Sequence, residues 1–320
     1  MKKSIVALVI SLSALQAVAF ATLKNDPVYR EARLSGAQAK IELCIADDDG
    51  TPVPDAKIKA YLGMNFRPRG TWVNGVTDTN GVFVLEGKTC GDEIEVFVTK
   101  DGYYDSRVVY CYAKMGEEHD VKDGKWQPYG EKRRIRLRIV KNPKLGATDA
   151  RFADTKRLNE WIGYDLEKHD FIAPFGCGKD VDFMVSIDWD GKWLPTYSGM
   201  GVRVRFVDEY SGYYVCNVCE ESEFKGPYNS DPDAIYKKEA RFYEEIQDGG
   251  KRSQHLFDRS KCWVVRSRCK VDSNGHLIKA NYSIVHYVGF CGDVDGTGGF
   301  RAISAFNPTP NDTNLEPKHH

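Results

Sequence analysis

This sequence predicts an all-β fold of two β-sandwich domains, the second the larger and carrying at most one short helix. In segment after segment, apolar residues alternate with polar ones at a period of two, the pattern of a sheet covered on one face. Gly, Asp, Asn and Pro separate these segments at short intervals, as in sandwiches. Between residues 141 and 160 the alternation lapses, and the chain divides there.

Residues 22–38 carry little periodicity and read as a lead-in. Ile41, Leu43 and Ile45 then share one face of a strand, with Glu42 and Cys44 on the other. In the next strand Ala56, Ile58, Ala60 and Leu62 face in, while Lys57, Lys59 and Tyr61 face out. Ile94, Val96 and Val98 repeat the pattern. So do Ile135, Leu137 and Ile139, whose intervening Arg134, Arg136 and Arg138 make a solvated face. Asn80-Gly81 and Asp101-Gly102 are tight-turn pairs, because asparagine and glycine tolerate positive φ. Lys141-Asn142-Pro143 ends the first domain's last strand, since proline has no N–H to give a ladder. Past the divide, alternating segments lie near 181–188, 200–207, 212–218, 261–272, 276–288 and 299–306. Asp272-Ser273-Asn274-Gly275-His276 closes a hairpin between two of them. The one predicted helix runs from Pro232 to Gln247, capped by Asp231 and stopped by Gly249-Gly250; Ile235, Glu239, Phe242 and Ile246 would share a face.

From Lys40 to Tyr110 the signals come in a particular order. A strand leads to Asp47-Asp48-Asp49-Gly50-Thr51-Pro52, a second strand to Thr77-Asp78-Thr79-Asn80-Gly81-Val82-Phe83, and a third to Lys100-Asp101-Gly102-Tyr103. That order resembles the carboxypeptidase regulatory-like family, a small β-sandwich related to transthyretin. The resemblance covers about residues 38–140 and implies an appendage of secreted proteins with no chemistry of its own. Three further islands, Ile139 to Pro143, Gly163 to Gly176 and Phe306 to Glu316, are similar to a group of uncharacterised exported bacterial proteins. That similarity implies a shared fold and export, and no activity.

Met1-Lys2-Lys3, the apolar run Ile5 to Ala19 and the small-residue site Ala19-Phe20-Ala21 form the three parts of a secretory signal, with cleavage expected after Ala21. The apolar run is shorter than the roughly 20 residues a bilayer span needs. The expected organisation is a signal peptide at 1–21, a first sandwich at 22–140, a linker at 141–160 and a second sandwich at 161–320, secreted or periplasmic, with no integral membrane segment after cleavage. Loss of Lys2 and Lys3 takes the formal charge from −1 to −3, a balance that gives nucleic acid no electrostatic hold.

An oxidising compartment makes the nine cysteines candidates for disulfides, and the odd number leaves at least one thiol over or paired between chains. A hairpin at Asp101-Gly102 brings Cys111 opposite about residue 93, near Cys90, so Cys90–Cys111 is the expected bridge. Cys216-Asn217-Val218-Cys219 could be a redox pair or half a zinc site, but no helix or second C-x-x-C accompanies it, which favours structural disulfides. Asp293-Val294-Asp295-Gly296-Thr297 offers too few oxygens for calcium and reads as a turn. Glu220, Glu221 and Glu223 read as a solvated acidic loop.

The best ligand-contacting candidate is Asp188-Trp189-Asp190-Gly191-Lys192-Trp193 with Tyr197. Exposed indoles stack on sugar rings while carboxylates accept hydrogen bonds from hydroxyls. The alternative is that Trp189 and Trp193 cap the sandwich core. No H-E-x-x-H, G-x-S-x-G or phosphate loop is present. The expected function is therefore exported, non-catalytic recognition of a glycan or envelope component, without metal or cofactor. The alternatives are a hydrolase using second-domain carboxylates such as Asp188 or Glu220, and a purely structural envelope subunit. Two carboxylates converging in a second-domain cleft favour the hydrolase; aromatics flat on an open surface favour recognition.

Overall fold

The computed structural model describes residues 26–63, 70–112, 121–146, 152–191, 199–247 and 251–318. Strands dominate it, in four sheets. The chain divides into two compact units, the first running to Val140 and taking in Glu221–Glu223, the second holding the rest.

In the first unit, helix α1 (Pro27–Ser35) precedes β1 (Ala37–Ala46). Asp26 caps the helix by accepting the Val28 N–H at 2.8 Å, and Gly36 ends it at φ 83°. Thus the lead-in residues, expected to be aperiodic, hold a helix. One sheet joins β1 to β4 (Val82–Thr89) and, in parallel, to β9 (Glu131–Arg136), with the short strands β7 (Val121–Lys122) and β8 (Lys125–Trp126) extending it. The other has the order β3 (Thr71–Val76), β2 (Lys57–Leu62), β5 (Glu93–Thr99), β6 (Ser106–Cys111).

Ile41, Leu43, Ile45, Ile58, Ala60, Leu62, Ile94, Val96, Val98, Ile135 and Leu137 are all buried in this unit's core, and each large one contributes roughly 1.5–3 kcal/mol. Asp47 and Asp78 close their turns by accepting two backbone N–H groups each, and Gly81 and Gly102 sit at φ 70° and 83°. One expectation fails: β9 stops at Arg136, and Arg138 is buried with its guanidinium 3.5 Å from Asp48. The Glu221–Glu223 segment adds a rung beside β6, with Arg107 N–H donating to Glu221 O and Glu223 N–H to Asp105 O, both at 2.9 Å. Glu221 also accepts the Arg136 N–H at 3.0 Å, so the acidic run is not simply a solvated loop.

In the second unit, one sheet has the order β10 (Ala153–Thr155), β20 (Gly298–Asn307), β19 (Leu277–Gly292), β18 (Lys261–Val271), β15 (Gly212–Asn217). The other runs β12 (Asp170–Phe171), β11 (Ile162–Asp165), β13 (Phe183–Asp188), β14 (Gly199–Arg205), β16 (Glu239–Gln247), β17 (Lys251–His255). A core rich in aromatics, with Tyr164, Phe171, Phe183 and Phe300 almost fully buried, belongs to this unit. The predicted helix at Pro232–Gln247 is overturned. Residues 239–245 pair antiparallel with β14 from Gly199↔Glu245 to Arg205↔Glu239, so a sheet edge decided what local propensity did not. Asp272 closes the β18–β19 hairpin as predicted, accepting from Asn274 and His276. The first and third sequence islands meet: the buried Glu316 carboxylate accepts the N–H groups of Lys141 and Asn142, both at 2.7 Å.

Candidate functional site

The predicted ligand loop does not present its first indole to solvent. Trp189 is 3% exposed within the second unit's core, its backbone tied to Asn159 in both directions. This corrects the expectation of a stacking platform at Trp189 in favour of the core-capping alternative: β13 ends at Asp188 and the next side chain turns inward. Asp188 ion-pairs with Arg203 at 2.8 Å and accepts from Ser186, while Asp190 stands exposed in the following loop. Trp193 and Tyr197 lie outside the described residues.

The expected Cys90–Cys111 bridge is not formed. Cys111 does face Glu93 in the β5·β6 register, as foreseen, but it is exposed, with its thiol 3.7 Å from Glu93. Cys90 is buried, its thiol donating to Leu34 O at 3.7 Å. No disulfide joins the described cysteines. Asp293 to Thr297 forms the β19–β20 turn, with Asp293 N–H donating to Thr297 O at 2.8 Å and Gly296 at φ 81°.

Carboxylates of the second unit do converge, but on an arginine. A β-bulge in β18 between Ser267 and Lys270 holds Arg268 at φ 52° and redirects its side chain. Its guanidinium reaches Asp165 at 2.9 Å, Asp182 at 3.0 Å, Glu167 at 2.9 Å and Asp180 at 3.4 Å. Asp165 and Asp182 are buried. Burial works to raise Asp165, yet the N–H groups of Lys179, Asp180 and Lys168 and the Arg268 charge hold it below the ordinary carboxylate value. Burial pushes Asp182 up, against Arg268 and Ser267. Burial also opposes the Arg268 charge, but hydrogen bonding to Asp182 and its negative charge drive the arginine above its usual value. Asp165 and Asp182, the two buried carboxylates, are thus held by Arg268 and by backbone N–H groups, while Glu167 and Asp180 stand at the exposed side of the cluster. Among the described residues, no group of three or more His, Cys, Asp or Glu is placed to hold a metal ion.

Aromatics do lie on an open surface, in the first unit. Period-two alternation sends Lys57, Lys59 and Tyr61 of β2 to the outer side of its sheet. Register then places Trp72 beside Tyr61, Asn74 and Phe97 beside Lys59, and Thr99 beside Lys57. Tyr61 and Trp72 have centroids 5.0 Å apart, Trp72 and Phe97 6.2 Å. Lys59 Nζ sits 4.4 Å from the Trp72 ring centroid and the Arg107 guanidinium 5.7 Å from that of Phe97. Trp72 remains 44% exposed. Gly70 makes room for the Tyr61 ring: a Cβ there would fall 2.2 Å from the phenol ring, and Gly70 N–H donates to the Tyr61 hydroxyl at 3.1 Å. Lys57, Lys59, Trp72, Asn74, Phe97 and Thr99 line a groove of about 510 Å³, within the size range of small-molecule sites. Sequence reading placed Lys57, Lys59 and Tyr61 outward but missed Trp72 and Phe97, because only the pairing of β2 with β3 and β5 gathers them.

No protein-family model matches the chain, and no curated protein matches it. Among solved structures it is similar to 3-chlorocatechol 1,2-dioxygenase of Rhodococcus opacus 1CP, at 14% identity and TM-score 0.27, over 33% of this chain and 62% of that one. It is also similar to catechol 1,2-dioxygenase of Acinetobacter radioresistens, at 12% identity and TM-score 0.26, over 33% of this chain and 53% of that one. A third is hydroxyquinol 1,2-dioxygenase of Pseudomonas putida DLL-E4, at 12% identity and TM-score 0.25, over 33% and 57%. The chain thus spans between 53% and 62% of the length of these proteins. All three are dioxygenases by name, which stands against the expectation of a non-catalytic recognition or envelope protein and of a chain that is no enzyme. The expectation rested on missing contiguous motifs, whereas a sandwich assembles a site from side chains far apart in sequence. No helix among the described residues is long and apolar enough to cross a membrane.

Proposed function

We propose that the chain binds a small, planar, negatively charged ring compound on the outer face of the β3-β2-β5-β6 sheet. The carrying observation is one open face that combines the Tyr61, Trp72 and Phe97 rings with the Lys57 and Lys59 ammonium groups. A flat ring stacks on Trp72, an offset contact worth about 0.5–1.5 kcal/mol beyond the area it buries. Lys59, whose Nζ lies over the Trp72 ring, and Lys57 line the same groove and select an anion over a neutral ring. Export belongs to this reading, and the Met1-to-Ala21 pattern supports it.

Calorimetric titration with 2-naphthoate, 2-naphthalenemethanol and cyclohexanecarboxylate separates the contributions. The naphthoate should bind most tightly. Trp72→Ala should weaken it about tenfold or more, which is roughly 1.4 kcal/mol. Lys59→Met should erase the preference for naphthoate over the neutral alcohol. Equal binding of all three compounds, or naphthoate affinity untouched by Trp72→Ala, would refute the proposal.

A further inference from the structure

We propose that Cys216 and Cys262 are a cross-strand thiol pair that closes to a disulfide. The two residues stand directly opposite each other in the antiparallel β15·β18 pair, between Val215↔Trp263 and Asn217↔Lys261. Directly opposed residues in such a pair have Cα atoms about 4.5–5.5 Å apart and side chains on the same face. That separation lies within the roughly 4.4–6.8 Å a disulfide spans. Both thiols face one small apolar cluster, with Val264, Ala280, Tyr282 and Leu315, so neither has to rotate through the sheet to reach the other. Cys219, the partner suggested by C-x-x-C spacing, falls past the end of β15, where its N–H donates to Lys225 O at 2.8 Å.

Exposure sets the order of events. Cys262 is fully buried and Cys216 half-buried, so an external reagent meets Cys216 first. The hydrogen bond from the Cys262 thiol favours the Cys216 thiolate, whose pKa lies below the ordinary thiol value. The oxidant is a disulfide compound. The Cys216 thiolate attacks one of its sulfurs, forming a mixed disulfide and expelling one thiolate. The Cys262 thiolate then attacks Cys216 Sγ, breaking the mixed disulfide and expelling the second. The two protons lost by the cysteines end on the two released thiols, and the oxidant has been reduced by two electrons.

The test is peptide mapping of the full chain under non-reducing conditions, before and after incubation with oxidised glutathione at pH 8. Oxidation should yield one linked peptide pair containing Cys216 and Cys262, and raise Tm by roughly 5–10 °C as the closed loop restricts the unfolded chain. Cys262→Ser should stop the reaction at a stable glutathione adduct on Cys216. Cys216→Ser should leave Cys262 unmodified until the chain is denatured. A Cys216–Cys219 link, or a wild-type chain in which both thiols survive oxidation, overturns the proposal. The wild-type map decides the matter even if either variant fails to fold.

Discussion

The Arg268 cluster of the second unit and the aromatic face of the first both gather residue types that binding sites use, yet water reaches them very differently. Around Arg268, four carboxylates meet one guanidinium, and the two nearest the core, Asp165 and Asp182, are buried and satisfied. On the outer face of the β2 sheet, Trp72 is 44% exposed and both lysines are exposed, beside the half-buried Tyr61 and Phe97 rings. Charge convergence by itself therefore marks a structural knot here. Unspent exposure is what marks a site.

The largest effect should come from breaking the knot. Arg268→Met strands Asp165 and Asp182 without a counter-charge, and should cost about 3–5 kcal/mol in urea unfolding. Arg268→Lys should recover little of that, because an ammonium cannot reproduce the forked contacts. If Arg268→Met leaves stability within 1 kcal/mol of wild type, the cluster is not what holds these elements together.

Next in size is a pH effect confined to the second unit. Burial, helped by Lys225, pushes His286 down to about 4, and burial lowers His169 as well. Unfolded histidine takes up its proton near pH 6.5, while the folded His286 does so only near 4. Between those values the unfolded chain binds more protons, so stability falls as pH falls, by roughly 1.4 kcal/mol per pH unit for each histidine kept neutral. His286→Gln should flatten that part of the stability profile. A profile with the same slope in the variant would contradict the assignment.

The same contrast explains what was legible in the sequence. Alternation is a local property, so the inward residues of β1, β2 and β5 and the Asp-led turns at Asp47, Asp78 and Asp272 could be read directly. Helix α1 carried its own start and stop, Asp26-Pro27 and Gly36, but buries only Ala32, too little for an apolar stripe to show. Residues 239–247 carried misleading helix punctuation and became a strand because β14 offered an edge. The bulge that turns Arg268 inward, and the register that sets Trp72 and Phe97 beside Tyr61 and Lys59, depend on pairings distant in sequence. The loop expected to bind was chosen for its residue types. Its one described indole, Trp189, was drawn into the core.

The central claim is that Trp72 is a contact surface and Trp189 a packing element. Naphthoate affinity and Tm measured side by side in Trp72→Ala and Trp189→Ala test it most directly. Trp72→Ala should lose about tenfold or more in affinity with a Tm near wild type, as expected for an exposed ring. Trp189→Ala should lose about 3–5 kcal/mol of stability, roughly 10 °C in Tm, while its folded fraction keeps wild-type affinity. The opposite pattern, with Trp72→Ala lowering Tm and Trp189→Ala abolishing binding at full stability, would contradict the account.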